Sequence, residues 1–172
     1  MRLFHVSEES DISIFTPRIP DRSDLDKTTG LVWAIDENRL PNFLTPRNCP
    51  RVAYHICKNT NELDRERFFS SSQNHAIVIE GKWYQTLKST TLYLYELETD
   101  LFELQDDIAG YYISKEEQKP IEKFVIDDLL GELISRNVEI RIVDNLWTIA
   151  DEVKDSTLNW SLCRMAFAQP RL

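Results

Sequence analysis

Apolar positions fall along this chain in short runs bounded by turn residues, the pattern of a sheet protein with helices set between its strands. Residues 2–6 alternate imperfectly, which predicts a short strand buried on both faces. The run Leu31–Ile35 predicts its companion. Between them Pro17, Pro20, Asp21, Ser23, Asp24 and Gly30 mark an irregular connection. Two prolines fix φ and remove donors there, so the stretch is expected over the surface, and its length suits either a mobile segment or one that covers a site.

Asp36 is a good N-cap, and Glu37 with Leu40, Phe43 and Leu44 predicts a helix that Pro41 keeps short. A rigid turn over 45–50 leads into a strand over 51–57, with Val52, Tyr54 and Ile56 on one face and Ala53, His55 and Cys57 on the other. Thr60 or Asn61 caps a charged helix that ends in Ser70-Ser71-Ser72. Strands follow over 75–80, 91–98, 111–114 and 121–126, with a helical turn over 82–88. The clearest helix is 127–136, its apolar stripe made by Leu129, Leu130, Leu133 and Ile134. Val138, Ile140 and Ile142 share one face of the next strand. Asp144 or Asn145 caps a last helix carrying Leu146, Trp147, Ile149, Ala150 and Val153, and 160–167 returns as a strand. No repeat or linker interrupts the pattern. The fold class expected is α+β, a single domain over 1–172 with a central, mostly antiparallel sheet and flanking helices.

Composition narrows the partners. With 20 basic and 29 acidic residues the formal charge is −9, which repels phosphate backbones and anionic lipid, so non-specific nucleic-acid and membrane binding are not expected. No stretch approaches the roughly 20 apolar residues of a membrane helix. Three widely spaced cysteines do not make a disulfide framework, and the start of the chain lacks an apolar signal region. A cytoplasmic protein with free thiols is the expectation.

Candidate chemistry is sparse. His5, His55, His75, Cys49, Cys57 and Cys163 show no repeated metal-ligand spacing, so no metal site is expected. There is no Gly-x-Ser-x-Gly elbow, and four glycines do not make a phosphate loop. Arg47 and Arg51 flank a proline-stiffened bend in an acidic chain, an arrangement able to grip a phosphate or carboxylate or to pair with Glu8, Asp36 or Glu37. His5 and Trp33 each put a polar ring tip into an apolar run, where it needs a partner. For His5 that partner is Ser7 or a backbone carbonyl. The alternatives are a core histidine with a space-filling indole, or a stacking wall with a hydrogen-bond donor for a ligand.

The segments Arg2-Leu3-Phe4-His5-Val6-Ser7-Glu8, Val32-Trp33-Ala34-Ile35-Asp36 and Pro46-Arg47-Asn48-Cys49-Pro50-Arg51 resemble an uncharacterised bacterial protein family, and the likeness continues through Leu146-Trp147 and Arg164-Met165. More distantly, the first two segments resemble the opening of the ADP-ribosyltransferase superfamily, which includes the RNA 2′-phosphotransferases. That resemblance implies His5 on a nicotinamide ribose and Trp33 stacked on the nicotinamide, with NAD or ADP-ribose as ligand. Val6 stands where those proteins carry glycine, and the stretch 109–114 offers no late carboxylate, so degenerate or absent catalysis is implied. The functional expectation is a nucleotide-type small-molecule site with ligand contacts from His5, Ser7, Trp33, Arg47 and Arg51. The alternatives are a protein-interaction module whose partner the residues do not identify, or an unrelated enzyme using Glu8, Glu9, Asp36 and Glu37 with His5 as acid/base groups.

Overall fold

In the computed structural model of the protein, residues 1–21, 25–70 and 72–171 are described. Ser23, Asp24 and Ser71, placed by the sequence in the first connection and at a helix end, lie outside the described residues. The chain divides into two compact units, Met1–Phe43 with Thr91–Ile126, and Leu44–Thr90 with Asp127–Leu172.

The first unit is a six-stranded antiparallel sheet. Its strands are β1 (Leu3–Ser7) and β2 (Val32–Asp36), and from its second segment β5 (Leu92–Leu97), β6 (Glu103–Asp106), β7 (Tyr111–Ser114) and β8 (Pro120–Ile126); β3 and β4 belong to the other unit. The order across the sheet is β6-β7-β2-β1-β5-β8. Leu3 pairs with Asp36 and with Leu97, and Phe4 with Ile35 and with Glu96. Residues directly opposite share a face, so Leu3, Val32, Ala34, Tyr95 and Leu97 line one side, where Phe15 joins them in a buried cluster. Phe15 comes from the proline-marked connection, which makes a bridge to Gln118 and another between Arg18 and Leu31. That connection therefore supplies core as well as surface. Arg2 holds the end of β1 by donating from Nε and Nη2 to the two carboxylate oxygens of Glu96, 2.8 and 2.7 Å, and from Nη1 to Glu37 at 3.1 Å.

The second unit holds a four-stranded sheet in the order β10-β3-β4-β9, made from β3 (Arg51–His55), β4 (His75–Glu80), β9 (Glu139–Val143) and β10 (Asn159–Cys163). β4 and β9 run parallel, the other neighbours antiparallel. Helices α1 (Glu62–Phe68), α2 (Tyr84–Ser89), α3 (Leu129–Ser135) and α4 (Trp147–Lys154) belong to this unit. Asn61 caps α1, its side chain accepting from the Asp64 amide, and Asp128 caps α3 by accepting from the Gly131 amide. Val52, Tyr54, Ala76 and Val78 pack with Phe68, Phe69, Leu146, Ala150 and Val153 into the core of this unit.

The α+β class and the mostly antiparallel pairing hold, with the strands shared between two sheets. Several details differ from the pattern expected, β6 among them, which has no counterpart in the strands expected from the sequence. Asp36 ends β2 and accepts from the Arg39 amide, but the helix after it is one 3-10 turn over Leu40–Phe43. Ile134 and Ile142 are exposed, because α3 buries Leu129 and Leu133 and because β9 lies at a sheet edge. Finally, the last strand stops at Cys163, and a 3-10 turn follows over Met165–Phe167. No helix among the described residues is long and apolar enough to cross a membrane.

Candidate functional site

His5 lies mid-strand in β1 opposite Tyr95 of β5. Its Nδ1–H donates to the Trp33 carbonyl at 3.0 Å. A carbonyl only accepts, so the neutral ring carries its proton on Nδ1. The ring of Phe15 lies 4.6 Å from the imidazole, centroid to centroid, and Phe15 meets Tyr95 edge-on at 5.5 Å. Tyr95 in turn donates its hydroxyl to the Glu9 carbonyl at 2.6 Å and accepts from the Ile12 amide at 3.2 Å, tying the covering segment down. Burial lowers the His5 pKa, and the Arg18 charge adds to that, while the bond to Trp33 and the charge of Glu9 oppose it. Ser7, two residues on and on the same face, accepts from the Glu9 amide at 3.1 Å and makes no bond to His5.

Trp33 is on the other face of the sheet. Phe4 opposes Ile35, and side chains alternate along a strand, so Trp33 projects with Phe4 and Ile35 while His5 projects with Leu3. The indole meets Tyr111 edge-on at 5.3 Å, and Tyr111 lies 5.5 Å from Phe43. The link between His5 and Trp33 is therefore backbone, and the two rings do not line one pocket. This corrects the expected stacking wall and donor: reading which residues alternate within each strand leaves the register between strands open.

Arg47 and Arg51 belong to the second unit. Arg47 is exposed, whereas Arg51 is buried between Ile79 and Cys163 on its neighbouring strands, with Nη1 donating to the Cys49 carbonyl at 3.0 Å. The two arginines thus differ in burial, Arg47 at the surface and Arg51 within the sheet. Burial pushes the Cys49 thiol up to about 12, against the pull of the Arg51 charge. Of the four acids considered as acid/base groups, Glu37 is paired with Arg2, and Asp36 serves the turn at Arg39. Among the described residues no group of three or more His, Cys, Asp or Glu is placed to hold a metal ion.

A groove of about 350 Å³ opens beside β8, lined by Ser10, Asp11, Ile12, Tyr95, Glu122 and Lys123 among others, and contains none of the five predicted contacts. Two of its lining residues are joined, Lys123 donating to the Ser10 carbonyl at 2.8 Å.

The opposite edge of the same sheet has another character. Leu104 on β6, with Leu101 before the strand and Ile108 after it, are 53%, 51% and 44% exposed. Glu103, beside Leu104, and Asp107, beside Ile108, are exposed as well, as is Asp100 in the segment leading to β6. The turn that carries Ile108 is firmly built: the Asp106 carboxylate accepts from the Ile108 and Ala109 amides, each at 3.0 Å, and Arg39 Nε donates to the Ile108 carbonyl at 3.2 Å. Gly110 closes it at φ +69°, where a side chain would be strained and would also meet Arg39. This edge carries no periodic signal in the sequence, since Glu103–Asp106 contains a single apolar residue and so no alternation. The available signal was compositional: residues 89–114 hold six acids and no lysine or arginine.

No curated protein and no solved structure matches the chain. The model of one family, described as a family of unknown function (DUF6886), matches residues 4–168, nearly the whole length, and the chain belongs to that family.

Proposed function

We propose that the protein is a protein-interaction module whose binding surface is the β6 edge of the first unit. The observation that carries this reading is the exposure of Leu104 on β6 and of Ile108 on the firmly held turn after it, with Leu101 exposed just before the strand. Exposed apolar side chains grouped and rimmed by polar ones mark contact surfaces, whereas scattered ones mean little. The turn is already ordered by Asp106, Arg39 and Gly110, so a partner meets a surface that needs little further ordering. The nucleotide reading loses its main support once His5 and Trp33 stand on opposite faces.

The test compares proteins captured from a cell extract by the wild type and by Leu104→Ser/Ile108→Ser, with circular dichroism verifying that both are folded. A captured protein lost in the double variant is the expected result. Identical capture by both would sink the module reading at this surface. Calorimetry with NAD and ADP-ribose at millimolar concentration distinguishes the rival. Binding heat that disappears in both His5→Ala and Trp33→Ala would restore the small-molecule site.

A further inference from the structure

We infer that the outer side of β6 receives an extended peptide segment carrying lysine or arginine between apolar residues; this rests on the interaction-module reading and gives its partner a chemistry. β6 is the last strand of its sheet, so among the described residues no strand pairs with its outer row of amides and carbonyls. Such a row is a template for an added strand.

Edges of this kind are commonly protected by short length, a bulge and charge. β6 has all three: it spans Glu103–Asp106, its register against β7 shifts between Leu104 and Asp106, and acids stand at both ends. A second copy of this chain pairing along the same edge would set acid against acid, so self-association is opposed. The same acids favour a segment of opposite sign.

The field here is one-sided. Asp106 is taken by the turn amides, leaving Glu103 on β6, Asp107 in the turn after it and Asp100 just before the strand exposed, and residues 89–114 hold no lysine or arginine. Arg39 is the base beside them, and its Nε is already bound to the Ile108 carbonyl. Leu104, opposite Tyr112 on β7, supplies apolar contact within that field. The acids select the sign of the partner, and Leu101, Leu104 and Ile108 provide the contact area.

The test uses short synthetic peptides of alternating lysine and valine, glutamate and valine, and lysine and serine, added to the full chain labelled with nitrogen-15. The lysine–valine peptide is expected to slow amide exchange at Glu103–Asp106 and to bind at least about tenfold more tightly than either control. Glu103→Lys, and separately Asp107→Lys, should each weaken it by about tenfold while the rest of the amide spectrum is kept. Protection elsewhere, equal binding of the controls, or indifference to both reversals overturns the inference. If these fail while capture from extract still depends on Leu104 and Ile108, the basic occupant is wrong and the module stands. If capture fails as well, both are wrong.

Discussion

Replacing Tyr54 by phenylalanine separates packing from hydrogen bonding at the centre of the second unit. Tyr54 is fully buried on β3, with ring contacts to Phe68 at 5.6 Å and to Phe69 at 5.4 Å. Phenylalanine keeps those contacts and deletes only the hydroxyl, which donates to the Phe68 carbonyl at 3.0 Å. That carbonyl also accepts from Arg141, so it is not orphaned by the change. The loss at neutral pH is therefore that of one net hydrogen bond, about 0.5–1.5 kcal/mol, without the larger penalty of an unsatisfied buried acceptor. The alkaline limb goes the other way. An unfolded tyrosine ionises near 10, while burial pushes the Tyr54 hydroxyl up to about 12. Between those values the folded chain holds a proton that the unfolded chain has released, so stability is lost as pH rises, at up to about 1.4 kcal/mol per pH unit. Tyr54→Phe escapes that loss, and the two stabilities should cross at about pH 11. Urea denaturation followed by tryptophan fluorescence from pH 7 to 11.5 measures both effects, since Trp83, Trp147 and Trp160 all lie in this unit. A neutral-pH loss above about 2 kcal/mol would mean that Arg141 does not share the carbonyl. A difference that stays constant above pH 10 would refute the buried hydroxyl.

Leu133→Ala should cost about 2–5 kcal/mol in urea, and Ile134→Ala under about 1 kcal/mol, because Leu133 is 1% exposed and Ile134 66%; similar losses would reverse the facing of α3. Gly110→Ala should destabilise by about 1–2 kcal/mol from its left-handed backbone alone, and by more because the new Cβ comes within 2.5 Å of Arg39 Cγ; a neutral thermal melt would contradict the turn. Intact mass during timed alkylation should show three free thiols, with Cys57 reacting first and Cys49 last. The hydrogen bond from Thr60 leads the effects that lower the Cys57 pKa, and burial raises that of Cys49. By NMR, His5 should titrate below the usual histidine value of about 6.5. Its folded-state pKa is depressed, so its contribution is present above that unfolded value and is lost as pH falls through the folded one. A His5 pKa above the unfolded value would mean its ring is not enclosed.

Where sequence and structure agree, the apolar pattern had a buried face to report. His75–Glu80 has the bounds expected, and Val52, Tyr54 and Ile56 do face one core. Local capping chemistry was equally readable at Asn61, and Asn145 accepts from the Trp147 amide at the start of α4. The pattern fails at edges. β6 buries too little to alternate, and Ile142 is apolar without being enclosed. Phe15 was hidden because its burial comes from a sheet formed by residues distant in sequence. That His5 and Trp33 do not share one pocket has the same physical cause at a finer scale. A shift of one residue in register moves a side chain to the opposite face, and nothing within Leu3–Ser7 or Val32–Asp36 encodes the pairing between them.

The segments of the two units alternate along the chain in the order of synthesis. Met1–Phe43 carries the central strands β1 and β2, whose outer neighbours β5 and β7 come from Thr91–Ile126. Leu44–Thr90 likewise carries β3 and β4 ahead of their partners β10 and β9, which come from Asp127–Leu172. A growing chain therefore holds the inner pair of both sheets before either has its flanking strands. The first sheet is completed only after β8 emerges and the second only after β10, with β3 and β4 still awaiting their neighbours when the first is finished. Cutting between Phe43 and Leu44 would not release a domain. It would yield a fragment that must find β5 and β7 again, so the natural pieces of this protein are complementing fragments rather than separable halves.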